Sequence, residues 1–509
     1  GRLDARRTLK SLVADLRIAL MPQMIMAQGN SSFSQYKAKR QHKFDNYKEQ
    51  RRKEFEEYRR KRNEEFASFI RNKWGNFASK PVTPKPKDET VPPIVIPKDN
   101  IPPINPNPKP ISFEDVTPAP KPKPQPEPIK PIEEVPITTV QPSVSFRFFG
   151  TTDKARFDKK NCIRLSSLEE NSIADAWLAM SEETYTNLIH DCLSLRKKYE
   201  LCDWAYLMML RNVAETIYGK TTNEAVLLTA YLYCQSGYQM RLAIDGQKLC
   251  LLIASRHHIF EKPYYEIDGA KYYPFLHDGE SMNNRVQICT ASFPKEKSMS
   301  LLVPAAQKFA INYNGERLIK SERYPNVAAT VKINQNLMSF YNTYPTSMLD
   351  NNIMTRWAMY ANTPLALDVA KQLYPQLKPL ISGKTQLDAV NILLNWVQTG
   401  FMYEYDDKVW GGDRAFFAEE SLYYPYCDCE DRTILFTRLV RDLLGLKCIL
   451  IFYPGHLAAA VCFTNSVDGD YIQLNGRKYI VSDPTYIGAP VGLTMPNMDN
   501  QLAKVILLQ

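Results

Sequence analysis

Residues 423–436 read YYPYCDCEDRTILF, and this stretch decides how the C-terminal third folds. Cys427 and Cys429 stand one residue apart among acids, directly ahead of the apolar helical run CEDRTILFTRLVRDLLGL, which ends at Gly445. The thiolate is the reactive form of cysteine, and a helix N-terminus favours it through backbone N–H groups and the helix dipole. Cys429 opens the run while Cys427 lies in the approach loop, so Cys429 is the expected nucleophile. Downstream, CILIFY and HLAAAVCF read as strands around Pro454-Gly455, and YIQLNGRKYIVSDP as a hairpin turning at Asn475-Gly476. His456 opens the second strand and is the only one of six histidines that follows Cys429. It is the expected base, and Asp483, ahead of Pro484, the group that holds its tautomer. A zinc site built from Cys427, Cys429, His456 and Asp483 is disfavoured by the C-x-C spacing. No cofactor and no metal are expected.

The same order of elements occurs earlier in the chain. DWAYLMMLRNVAETIYG and NEAVLLTAYLYCQSGY have helical apolar spacing, KLCLLIAS reads as a strand, and YYEIDGAKYYPF as a hairpin turning at Asp268-Gly269. Laying Gly237 on Gly445 and Gly269 on Gly476 puts NEAVLLTAYL under DRTILFTRLV and YEIDGAKYY under IQLNGRKYI. In that alignment Cys429 faces Thr221, His456 faces Leu249 and Asp483 faces Leu276. One α+β unit is thus expected twice, its first copy degenerate at all three positions.

Upstream of both units the composition changes. From Phe33, eleven-residue segments repeat, with Phe33, Phe44, Phe55, Phe66 and Phe77 in the first position and Tyr36, Tyr47, Tyr58 and Phe69 in the fourth. Eleven residues make about three helical turns, so the aromatics share one stripe of a straight helix. Residues 33–80 carry +8 of the chain's formal charge of +9. Interleaved acids and the regular stripe favour a helix that packs on a protein partner over one that binds nucleic acid. Residues 81–142 hold 20 of the 35 prolines, which favours an extended spacer of up to roughly 190 Å. Arg6, Arg7 and Lys10 ahead of SLVADLRIALMPQMIMAQ follow the order of an export signal, interrupted by Asp15 and Arg17. The competing reading is a start that carries no address. No apolar run is long enough for a transmembrane helix. The other cysteines sit mostly in apolar runs and read as small buried hydrophobes.

The set DCEDRTILFTRLVRDLLGL, YPGHLAAAV and YIVSDPTYIG, over residues 428–488, resembles transglutaminase-like domains of the papain-like cysteine-protease superfamily. The CEDR helix and the DPTY ending are most similar to secreted Bacteroidetes proteins with such a domain. The resemblance implies Cys429 as nucleophile, His456 as general base, Asp483 as orienting acid, and attack on an amide carbonyl through a thioester. The Cys429 N–H is one expected oxyanion donor; Trp410, Gln398, Tyr424 and Tyr426 are candidates for the second. Two departures are a short Cys–His interval and a first copy without a triad.

The expected architecture is therefore α+β with a papain-like, transglutaminase-like core in duplicate. Residues 1–32 are a candidate export region, 33–80 the basic helix, 81–142 the proline-rich linker, 143–285 the degenerate unit, 286–345 a β-rich connection and 346–509 the catalytic unit. The expected function is a secreted or periplasmic cysteine amide hydrolase or acyltransferase acting on a protein or peptide. The alternative is a non-enzymatic cell-envelope scaffold with a vestigial triad. Residues 401–426 are expected to line the substrate cleft, and deletion of 404–420 to alter substrate range while leaving the fold intact.

Overall fold

The computed structural model describes residues 4–87, 90–135 and 141–509, with side chains from residue 31 onward. The side chains of the candidate export region up to residue 30 lie outside the described residues. The fold is mixed α+β, built round two six-stranded sheets. Among the described residues no helix is long and apolar enough to cross a membrane.

The two sheets have the same strand order. The first runs Tyr265–Ile267, Ala270–Pro274, Lys248–Ala254, Met240–Asp245, Arg285–Cys289 and Trp74–Ala78. The second runs Tyr471–Leu474, Arg477–Ser482, His456–Cys462, Lys447–Tyr453, Lys504–Leu507 and Asp115–Thr117. In each, an Asp-Gly or Asn-Gly hairpin forms one edge. Asp268, Gly269, Asn475 and Gly476 all have positive φ, as a tight two-residue turn matching the strand twist requires. In each, a helix that ends just before the central hairpin covers one face: Asn223–Gln235 on the first sheet, Cys429–Leu444 on the second. A second helix backs each of these, Asp203–Tyr218 and Gln386–Thr399 respectively. The outermost pairs differ, since Trp74–Ala78 joins antiparallel and Asp115–Thr117 parallel.

The long helix ends at Ile70, not at residue 80. Beyond a turn at Arg71 and Asn72 the chain enters the first sheet as Trp74–Ala78, so the repeat position Phe77 lies in a strand. The aromatic stripe divides in two. Phe55 and Phe66 are buried, whereas Phe33 and Tyr36 are 66% and 62% exposed, and Phe44 and Tyr47 are also exposed. The buried half packs on the chain's own first unit. Phe66 lies 4.9 Å from Trp177 and 5.7 Å from Phe293, centroid to centroid. Buried Asn63 accepts from Trp177 Nε1 at 2.9 Å and pairs with the Gln235 amide.

Prolines keep residues 81–87 and 90–135 largely extended, but the stretch is not a free spacer. It runs along the body and adds strands to it. Ile94–Val95 pairs with Tyr486–Ile487, and Asp115–Thr117 joins the second sheet. Farther on, Gln125 donates to Asp203 at 3.0 Å and Glu127 pairs with Arg196. Gly237, at φ +96°, comes so close to the strap that a Cβ there would meet the Glu127 carbonyl oxygen at 2.2 Å. An extended backbone exposes its N–H and C=O groups, and the sheet edges of the body satisfy them. In the connection at 286–345, Ala328–Val331 is a strand within NVAATVKI, but SLLVPAA runs without regular structure.

Candidate active site

Asp428 caps the helix that Cys429 opens. Its Oδ1 accepts from the Glu430 and Asp431 N–H groups at 3.1 and 3.4 Å, and Asp431 Oδ2 accepts from the Asp428 N–H at 3.1 Å. This reciprocal box fixes the helix start, and it also uses two of the N–H groups that sequence reasoning assigned to the thiol. Arg432 ties the same turn to the neighbouring helix, donating to the Gln398 and Phe401 carbonyls at 2.8 and 2.9 Å. One turn beyond Cys429, Thr433 Oγ1 donates to the Leu457 carbonyl at 3.1 Å. That bond lays the helix start against the strand that His456 begins.

The first unit makes the same approach with other side chains. Asn223, the first residue of its helix, donates to the Gln247 carbonyl at 3.1 Å and accepts from the Leu249 N–H at 3.0 Å. These two residues flank Lys248, the first residue of the strand equivalent to His456–Cys462. The cap and hairpin registers therefore correct the alignment. Cys429 corresponds to Asn223, not Thr221, because Thr222 and Asp428 are the caps. His456 corresponds to Lys248, not Leu249, because Asp245↔Lys248 and Tyr453↔His456 close equivalent hairpins. Asp483 does fall opposite Leu276, since Tyr273 and Ile480 occupy equivalent pairs.

His456 Nε2 and Asp483 Oδ2 are 2.7 Å apart. A carboxylate only accepts, so Nε2 carries the proton and Nδ1 the lone pair. Nδ1 is buried and has no hydrogen-bond partner among the described residues. Asp483 is itself held, its Oδ1 accepting from the Thr485 and Tyr486 N–H groups. Cys429, His456 and Asp483 are only 1%, 2% and 2% exposed. Cys427 lies in the short strand Tyr426–Cys427, where burial pushes its thiol up to about 11 despite the opposing pull of Arg432.

Gln398 is not free to bind an oxyanion. Its Nε2 donates to the carbonyls of Asp483, Tyr486 and Ala489 at 3.0, 2.8 and 3.0 Å, and its Oε1 accepts from the Gly488 N–H. It clamps the loop that carries Asp483. Truncating a buried group with this many partners strands each of them, at about 1–3 kcal/mol apiece. Gln398→Ala is therefore expected to lower stability by about 3 kcal/mol or more, read as a reduced denaturant midpoint at unchanged slope. Trp410 packs edge-on against Phe416 and Tyr424, the Tyr424 hydroxyl donates to Asn342, and Tyr426 is exposed. Sequence reasoning did not single out Tyr403. Its hydroxyl is buried without a partner, and its pKa is pushed far up by burial and then by charge at Cys429 and Asp428. Tyr403 pairs in register with Cys427, two residues ahead of the nucleophile, and a neutral O–H is a suitable donor.

Behind the helix start, Asp406, Asp413, Asp428, Glu430 and Asp431 are all buried. Burial pushes Asp406 up to about 10 and Asp431 up to about 7 and raises Asp428 and Glu430 well above the usual carboxylate range, with repulsion from neighbouring acids adding to each. Oxygens of Asp406, Asp413 and Glu430, and of Asp406, Asp428 and Asp431, approach within 4.8 Å of one another. Such all-oxygen sets suit a hard cation such as Ca²⁺. The stretch 404–420 supplies two of these acids together with buried Phe416 and Phe417. Residues 415–420 belong to the core, which argues against their being dispensable for folding, whereas 407–409 and 411 are exposed, and Trp410, Arg414, Ala415 and Glu420 line a cavity.

Comparisons of the chain with protein-family models, curated proteins and solved structures return no match.

Proposed function

We propose that the C-terminal unit is a cysteine amide hydrolase or acyltransferase of the transglutaminase-like kind, with Cys429 as nucleophile, His456 as base and Asp483 as the orienting carboxylate. The observation that carries this is the His456 ring, with one nitrogen tied to Asp483 and the other an open, buried base. Cys429 Sγ attacks the amide carbonyl carbon as His456 Nδ1 takes the thiol proton. The C–N bond then breaks, and that proton leaves with the amine. Water or a second amine attacks the thioester, giving an acid or a new amide and returning the thiol. Tyr403 and the Cys429 N–H are the proposed oxyanion donors. The matching strand orders support a duplicated papain-like core whose first copy, with Asn223, Lys248 and Leu276 at the three positions, has no such chemistry. An exported setting belongs to this reading and rests on the order of residues 1–32 alone.

The test is turnover of a peptide library by wild type and Cys429→Ala. New termini or released ammonia with wild type only, lost by a factor of about 10³ or more in the variant, is the expected result. The exposed aromatics at 33–47 favour a second reading, a scaffold that recruits a partner along the helix; equal inactivity of both chains even when the active site is opened to peptides would support it.

A further inference from the structure

The triad is buried by the chain itself. Val91 N–H donates to the Gly455 carbonyl at 2.7 Å, immediately beside His456. Ile94 and Val95 pair in parallel with Tyr486 and Ile487, just past Asp483, and the Ile96 N–H donates to the Ile487 carbonyl at 2.9 Å. Ile96 is buried in a small apolar cluster with Tyr486, Ala489 and Met495, against which Val91 and Ile94 pack. Residues 90–96 thus run from the turn that presents the base to the strand that follows the orienting acid.

We infer that residues 90–96 occupy the groove in which a substrate backbone binds, so that the chain blocks its own active site and the substrate is an extended peptide that replaces the strap on Tyr486–Ile487. This rests on the function proposed above. Three observations support it. An amide substrate must reach a sulfur that is 1% exposed, so something above it has to move. Among the described residues the segment's strand pairing is the two-residue ladder of Ile94–Val95 with Tyr486–Ile487, short enough for a competing peptide to replace by the same main-chain bonds. The strap sequence TVPPIVI has two prolines in its middle, which fix an extended backbone and remove two N–H donors. A peptide with a full set of donors gains bonds on displacing it. The groove therefore selects extended chains with an apolar residue at the Ile96 position, not folded surfaces.

The test is alkylation of Cys429 by iodoacetamide at pH 7, followed by peptide mass spectrometry on the full chain. Ile94→Asp combined with Ile96→Asp, which cannot keep the apolar cluster, is expected to raise the rate at least 10-fold over wild type. A synthetic peptide of residues 88–98 added in trans is expected to restore protection. Val91→Pro removes the bond to Gly455 and the Val91 packing on the cluster but keeps Ile94 and Ile96, and it suits the extended backbone; it is expected to raise the rate less, and it serves where the double variant fails to fold. Folded variants that alkylate at the wild-type rate would overturn the strap. Faster alkylation that is indifferent to a further His456→Ala change would leave the strap standing and overturn the enzyme.

Discussion

In the chain freed of its strap, His456→Ala is expected to slow alkylation of Cys429 at pH 7 by about 30-fold. The magnitude follows from thiol chemistry. A free cysteine, with a pKa near 8.5, is only about 3% thiolate at pH 7, whereas a thiol that has passed its proton to an adjacent imidazole is almost wholly thiolate. Amide turnover should fall further, by about 10²–10⁴, because the imidazole also returns the proton to the leaving amine. Asp483→Asn gives a distinct signature. The amide can donate as well as accept, so the ring is no longer held with its proton on Nε2, and Nδ1 ceases to be the obligatory basic nitrogen. The fold should survive that change, because the Gln398 clamp on the loop uses the backbone carbonyls of Asp483, Tyr486 and Ala489, not the carboxylate. Alkylation by His456→Ala at the rate of the freed parent would mean that the sulfur draws nothing from the ring.

Phe66→Ala carries the largest expected cost in stability, about 3–5 kcal/mol. Phe66 is 3% exposed and lies between Trp177 and Phe293, one turn from the buried Asn63 that bonds Trp177 and Gln235. Truncation leaves a cavity between two rings that cannot both collapse into it. The same change at Phe44, which is exposed, should move the melting temperature by little. The contrast tests whether the long helix is anchored by its C-terminal half alone. Equal effects at the two positions would mean that the N-terminal half is also packed in solution.

Much of this arrangement was legible in the sequence. The hairpins at Asp268-Gly269 and Asn475-Gly476 follow from turn chemistry, and the helices from apolar spacing. Asp483 was placed by a short hairpin whose register admits little slip. The alignment of the two units failed by one or two residues at Asn223 and Lys248. There, identity depends on which side chain caps a helix and which pair closes a hairpin, and apolar periodicity records neither. The proline stretch was read correctly as extended and wrongly as a spacer. Proline reports backbone conformation, but not which sheet edge will accept the strand. Gln398 and Tyr403 illustrate the remaining limit: a buried amide or phenol acquires its role from partners far away in the chain. Within 404–420 the acids Asp406 and Asp413 are buried behind the helix cap, a role that their spacing among aromatics does not reveal.

The strap-released chain is incubated with an amide substrate, quenched in acid and mapped by peptide mass spectrometry. An acyl group in thioester linkage on Cys429, absent from Cys429→Ala, is the predicted result. A substrate consumed with no adduct there, or an adduct on Cys427, would contradict it.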